Sequence, residues 1–228
     1  VRTCTIINCV KIILKFLVNY IYSKLNFYRF GVFKMPEVSN TIKEAVERAI
    51  QRVELRFNRH SHIFLTEDDL RCNLFSELLK EDVLSSVRRT QDQSCSIPIH
   101  SEVRWYGENG KLKNRSDLVI LDVAQLITSN NDLFRLPSKG YGFGGSMVVI
   151  EIKLRRPNGP SDNTFKKALM KDILKMKELR RSVNSQALFH LVIFDKKKCI
   201  DITNLNEENI KTHYCAMTMN NRRIEDNI

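Results

Sequence analysis

The six cysteines, Cys4, Cys9, Cys72, Cys95, Cys199 and Cys215, include no Cys-x-x-Cys pair, which argues against a zinc ribbon or an iron–sulfur knot. They fit a reducing, cytoplasmic setting instead. Long apolar runs are also missing: the longest charge-free one near the N-terminus, Phe16 to Ser23, is far shorter than the ~20 residues that span a bilayer, so stable membrane insertion is not expected. Half of the eight glycines crowd into "SKGYGFGGS", but no Gly-Lys-Ser/Thr ending and no helix follow, which argues against a nucleotide phosphate loop. His60, His62, His100, His190 and His213 show no ligand spacing beyond one His-x-His, and read as structural or phosphate-adjacent. Trp105 and Tyr106 are adjacent and so lie on opposite faces of a strand, leaving no stacking platform for single-stranded nucleic acid.

What remains is a chain of 228 residues, 43% hydrophobic, large enough for one real core. Its net charge of +11 is unevenly spread, because residues 1–34 hold Arg2, Lys11, Lys15, Lys24, Arg29 and Lys34 without a single acid. The rest is only mildly basic, a balance that permits nucleic-acid binding without requiring it. Asn8, Lys11, Lys15, Asn19, Tyr22 and Asn26 fall at helical spacing and would give an amphipathic helix a polar, basic face. We read residues 1–34 first as sequence upstream of a start at Met35; a peripheral membrane or partner helix and a signal-like segment are the other readings.

From Thr41 the pattern becomes regular. Thr41 and Glu44 suggest a capping box, and Ile42, Val46, Ile50, Val53 and Phe57 line one face of a helix within residues 35–61. Thr66 is expected to cap a second helix with acids in its first turn and a buried stripe of Leu70, Leu74 and Leu78. Glu77 lies at the edge of that stripe. Two strands joined through Glu108, Asn109 and Gly110 follow, the second beginning at Asp117, then an irregular insert over residues 123–146. "MVVIEIKLRRP" is a third strand. Residues 162–183 read as a helix with Phe165, Leu169, Ile173, Met176 and Leu179 inward, and residues 189–195 as an apolar strand. From Lys196 to residue 228 periodicity is weak, and partial order at most is expected. A meander of three strands followed by a helical crossover predicts an α/β core whose sheet is covered by helices.

The third strand carries the chemistry. Side chains alternate along a strand, so Glu151 and Lys153 share one face with Val149, while Val148, Ile150, Ile152 and Leu154 take the other. Asp117 on the neighbouring strand brings a second carboxylate to within reach, since strands lie ~5 Å apart. Two carboxylates buried together need a cation, and Mg²⁺ suits them because it binds one or two carboxylates, several waters and phosphate oxygens. Lys153 would then orient or deprotonate an attacking water and steady the phosphorus. Glu102 reads as half-exposed sheet surface and Asp172 as a core hydrogen-bonding group.

This pattern, "RSDLVILD" with "VVIEIK" and the helices around them, resembles the PD-(D/E)xK nuclease superfamily over residues 62–195. Ser116 stands where the proline usually is, and the insert between the halves is longer than is common. The resemblance implies a restriction-endonuclease-like core, a central mixed β-sheet flanked by helices, and a nuclease cutting DNA, an endonuclease ahead of an exonuclease, with a homodimer as a frequent arrangement; an RNA substrate is the weaker possibility, since phosphate contacts alone do not separate the two. It further implies that Asp117, Glu151 and the Ile152 carbonyl hold Mg²⁺ or Mn²⁺, that Lys153 is the catalytic lysine, and that Glu77 assists. Lys167, Lys171 and Lys175, at i, i+4 and i+8 on the crossover helix, with Arg155 and Arg156, are the expected phosphate contacts. A nucleic-acid-binding module that has the fold without the chemistry is the alternative.

Overall fold

The computed structural model describes residues 38–106, 111–128, 142–143, 146–182, 186–197, 199–205 and 207–217. The readings of residues 1–34, of a start at Met35, of the turn at Glu108, Asn109 and Gly110 and of most of the glycine-rich insert lie outside them. Helix α1 spans Asn40–Arg59, α2 Glu67–Leu78, the short α3 Asp82–Ser85 and α4 Asp162–Ser182. Two-residue strands β1 (Arg88–Arg89) and β2 (Cys95–Ser96) pair with each other. The long strands β3 (Ile99–Tyr106) and β4 (Leu112–Leu121) come next, then the second short pair, β5 (Leu126–Ile127) with β6 (Gly142–Phe143). Strands β7 (Ser146–Arg155), β8 (Leu188–Asp195) and β9 (Ile210–Ala216) complete the chain.

The result is an α/β protein with one five-stranded mixed sheet of order β3-β4-β7-β8-β9. β3, β4 and β7 run antiparallel, whereas β8 and β9 are parallel to β7. A parallel neighbour demands a crossover, and α4 supplies it between β7 and β8. Helices cover both faces. Ile42, Val46, Ile50, Val53 and Phe57 of α1 and Leu70, Leu74 and Leu78 of α2 pack on Ile99, Leu118, Ile120, Val148, Ile150, Ile152, Val192 and Phe194. Phe165, Leu169, Ile173, Met176 and Leu179 of α4 pack on Val119, Val149, Leu191 and Ile193 of the other face. Each such side chain, fully buried, contributes roughly 1.5–3 kcal/mol, which is why the helical stripes and the strand alternation agree so closely.

Local signals act as expected at α2, where the Thr66 hydroxyl accepts from the Asp69 N–H and the Asp69 carboxylate accepts from the Thr66 N–H. At α1 they differ. Ser39, not Thr41, is the cap, its hydroxyl accepting weakly from the Ile42 N–H at 3.4 Å. Asp117 sits inside β4 rather than at its start. The region after residue 195 is the larger correction: β9 pairs with β8 from Phe189↔Ile210 to Asp195↔Ala216 and closes the sheet edge. Residues 38–61 and this strand therefore belong to the same core as residues 62–195.

Candidate active site

Asp117 and Glu151 meet because of where a ladder stops. The β4–β7 register runs through Leu118↔Ile150, and the next position would set Asp117 opposite Glu151. There the Asp117 side chain takes over from the backbone: its Oδ2 accepts from the Ile152 N–H at 2.8 Å. A strand residue projects its N–H and C=O toward the same neighbour, so the Ile152 carbonyl also faces β4 and Asp117. Ser116, fully buried, accepts from the Trp105 indole N–H at 3.0 Å, which gives this position a polar role in the sheet.

Glu151 is 3% exposed. Its Oε2 accepts from Lys175 Nζ at 2.6 Å, whereas its buried Oε1 has no hydrogen-bond partner among the described residues. Burial raises its pKa to about 7; Lys175 opposes that rise, and the negative charges of Asp117 and Asp172 add to it. A buried carboxylate with one orphaned oxygen fits a hard cation, because such an oxygen otherwise bears an uncompensated desolvation cost.

Lys153 lies on the same face, half-buried, with Nζ 3.4 Å from Asp172 Oδ2 and 3.5 Å from Glu67 Oε2. Burial works to lower its pKa, but Asp172, Glu67 and Asp117 outweigh it and hold the ammonium above its ordinary value. Lys153 thus stays protonated. Arg71 of α2 completes the surround: it bonds Glu102 of β3, and its Nη1 lies 3.6 Å from Asp117 Oδ1. Glu102 also pairs with Arg115 at 2.8 Å and holds φ at 56°, a left-handed backbone uncommon for a glutamate and located beside Asp117's strand.

Several expected positions move. Glu77 is buried but is held by Arg52 at 2.7 Å, Arg56 at 2.8 Å and Lys80 at 2.7 Å, joining α1 to α2, and it has no contact with Asp117, Glu151 or Lys153. Burial pushes its pKa up, yet Lys80 and Arg52 prevail and hold it below the usual carboxylate range. Arg155 is not a surface phosphate contact: it is fully buried, bidentate to Asp195 at 2.9 and 2.6 Å and 2.8 Å from Asp162. Its guanidinium also lies over Phe165. Arg156, Lys167 and Lys171 are exposed as expected. Lys175 is not in their row, because positions i, i+4 and i+8 drift by about 40° per step on a helix of 3.6 residues per turn, which carries Lys175 round to Glu151. Asp172 and Lys175, three residues apart at the edge of the apolar stripe of α4, were legible as a facing pair, whereas nothing local marks Glu67 or Arg71.

Asp117 and Glu151 are the two carboxylates that neighbouring strands bring together on this face, and Asp172 does not complete a trio with them. Asp117, Glu151 and Asp172 do not bring ligand atoms within 4.8 Å of one another as a trio; among the described residues only Glu47, His190 and His213 do so. Compared with protein families, with curated protein sequences and with solved structures, the chain has no match.

Proposed function

We propose that the chain is a divalent-metal-dependent nuclease of the PD-(D/E)xK type, with a restriction-endonuclease-like core, that hydrolyses DNA phosphodiesters. The observation that carries this reading is the buried, half-orphaned Glu151 carboxylate beside Asp117 with the Lys153 ammonium on the same sheet face. Asp117, Glu151 and the Ile152 carbonyl would hold Mg²⁺ or Mn²⁺, which when bound polarises a phosphoryl oxygen and acidifies water. Asp117 is fixed for this task by its bond to the Ile152 N–H. Glu151 is kept in place by Lys175, whose ammonium compensates part of the carboxylate's charge.

The protonated Lys153 is suited to stabilise negative charge that builds on the phosphoryl oxygens in the transition state, and unsuited to take a proton from water. Of the two roles a lysine can play here, charge stabilisation is the better supported. Exposed Lys167, Lys171 and Arg156 lie on α4 and just past β7, where they would contact flanking phosphates.

A second reading has an observation of its own. The Lys175–Glu151 and Arg71–Asp117 pairs neutralise the carboxylates without any ion, as a binding module that had lost its chemistry would require. Incubation of the full chain with supercoiled plasmid, linear duplex, single-stranded DNA and RNA, each with Mg²⁺, Mn²⁺ or EDTA, separates the two. We expect metal-dependent DNA cleavage that Asp117→Asn and Lys153→Ala reduce by about 10²–10⁴ with duplex affinity retained. Duplex binding by the unmodified chain with no cleavage under any ion would establish the binding module instead.

A further inference from the structure

The apolar run of β8, from Leu188 to Phe194, is interrupted by His190, and β9 places His213 beside it on the same sheet face. His190 registers with Ile150, which faces α1 and α2, so both rings lie on the side of the sheet opposite Glu151 and Lys153. Nδ1 of His190 and Nε2 of His213 are 3.0 Å apart. Glu47 of α1 brings Oε1 to 3.9 Å from the first nitrogen and 4.0 Å from the second.

We infer that Glu47, His190 and His213 form a three-ligand site for a zinc-class transition ion, separate from the Asp117–Glu151 face. Tetrahedral zinc with bonds of about 2.0–2.2 Å sets its ligand atoms about 3.3–3.6 Å apart. The separations of 3.0, 3.9 and 4.0 Å bracket that spacing, so closing on an ion takes shifts of a few tenths of an ångström. Two imidazoles and one carboxylate are ligands that zinc favours over magnesium.

Glu54 Oε1 lies 4.0 Å from His213 Nδ1, the nitrogen left over once Nε2 binds the ion; that is too long for a hydrogen bond in the metal-free protein, and a small rotation of the Glu54 side chain would bring the carboxylate within reach to orient the ring. The fourth position has somewhere to open: Glu47 and His190 line a cavity of about 630 Å³ between α1 and the β8–β9 edge. Lys43, Arg48, Arg180 and Lys211 line it together with Glu44 and Glu208, so water or a small polar ligand rather than a bulky apolar group would suit the open position.

Two things compete with the ion: the proton through which His190 Nδ1 and His213 Nε2 bond each other at 3.0 Å, which metal binding must displace, and Lys211. Lys211 Nζ holds Glu47 Oε1 at 2.7 Å, but its side chain is 59% exposed and free to swing into water. This makes a test whose sign is informative. Full-length protein, stripped with EDTA and carrying Ser at Cys4, Cys9, Cys72, Cys95 and Cys199, is titrated with ZnCl₂ by calorimetry, and with CoCl₂ for the visible spectrum of a tetrahedral ion. Expected are one tight Zn²⁺ per chain, apart from any weaker binding at the Asp117–Glu151 face, a loss of affinity at the tight site of about 10-fold or more in Glu47→Gln and in His213→Ala, and a gain in Lys211→Met. Asp117→Asn should retain the tight site unchanged, which keeps it distinct from failure or success of the nuclease reading. Absence of saturable binding, or unchanged affinity in Glu47→Gln, or weaker binding in Lys211→Met, overturns the inference. The Glu47 and Lys211 changes lie at the helix surface and an exposed strand position, so they decide the matter even where His213→Ala fails to fold.

Discussion

Replacing Glu151 by Gln is expected to make the metal-free protein more stable at pH 8 while abolishing cleavage. The carboxyl has a folded pKa of about 7 against an ordinary value of 4.5, chiefly because it is buried. Below 4.5 both folded and unfolded chains hold the proton and nothing is lost. Between 4.5 and about 7 the unfolded chain has released a proton that the folded one retains, so stability falls as pH rises, and above that range the loss is complete. The difference in pKa corresponds to about 3 kcal/mol. Gln keeps the shape and does not titrate. Lys175, with a side chain 21% exposed, can turn to water when its partner's charge goes. Urea unfolding of both proteins in EDTA at pH 4 and pH 8, followed by far-UV circular dichroism, measures the effect. Other carboxyls titrate in both proteins and cancel, so the advantage of Gln over Glu should grow by about 3 kcal/mol between the two pH values. At pH 8, Mg²⁺ at ten times its Kd should then restore about 1.4 kcal/mol to the parent and nothing to the variant. Parallel pH profiles for the two proteins would refute the assignment of the burial cost to Glu151.

Arg155→Ala should destabilise by about 3–5 kcal/mol, since it takes the bidentate guanidinium from a buried Asp195 carboxylate that keeps the Tyr214 hydroxyl and the Lys197 N–H as neutral donors; a shift under 1 kcal/mol in urea unfolding would contradict that. Glu77→Gln should cost about 1–3 kcal/mol, because charge-assisted bonds to Arg52, Arg56 and Lys80 are weakened, with cleavage per folded molecule unchanged; a selective loss of cleavage would return Glu77 to the site. Lys167→Ala with Lys171→Ala should weaken duplex binding and flatten the dependence of log affinity on log salt by about 0.9 for each phosphate no longer neutralised, whereas Lys175→Met should leave that slope alone. Equal slopes for all three lysines, read by filter binding at several salt concentrations, would restore Lys175 to the phosphate-binding row.

The parts of this fold that the sequence makes legible are those set by periodicity alone. The stripes of α1, α2 and α4 and the alternation of β7 from Val148 to Ile152 place the apolar residues on the faces where they are found, because burial energy and backbone geometry enforce the same period; Met147, beside the register shift at Ile120–Leu121, breaks it and packs on the α1 side. Partnerships over long sequence distance escape it. Arg155 shares the parity of Glu151 and Lys153, and only the β7–β8 register, which sets Arg155 opposite Asp195, shows that its charge is answered inside the protein. Glu77 was legible as inward, but what it faces is decided by α1 packing across α2, which puts Arg52 and Arg56 one turn apart in front of it. β9 was missed because an edge strand with Lys211, Thr212 and His213 in its middle has neither an apolar run nor a clean alternation. Part of that polarity is the Glu47–His190–His213 cluster itself.

Such polar insertions into strands are costly unless each is answered, and the sheet answers them separately. The register pairs Ile150 with His190 and Glu151 with Leu191, so the ionisable residue of each pair meets an apolar one. Successive residues point to opposite faces; the carboxylate therefore looks toward α4 and the imidazole toward α1. Each then draws its compensation from its own covering helix: Lys175 of α4 for Glu151, and Glu47 of α1 for the two histidines. Had either residue been shifted by one position, Glu151 and His190 would share a face, where one carboxylate oxygen and one imidazole nitrogen could bond each other. The one-residue offset instead sends each to a different covering helix, and on the α4 side it leaves Glu151 Oε1 without a hydrogen-bond partner among the described residues, the atom at which a cation would have most to gain by binding.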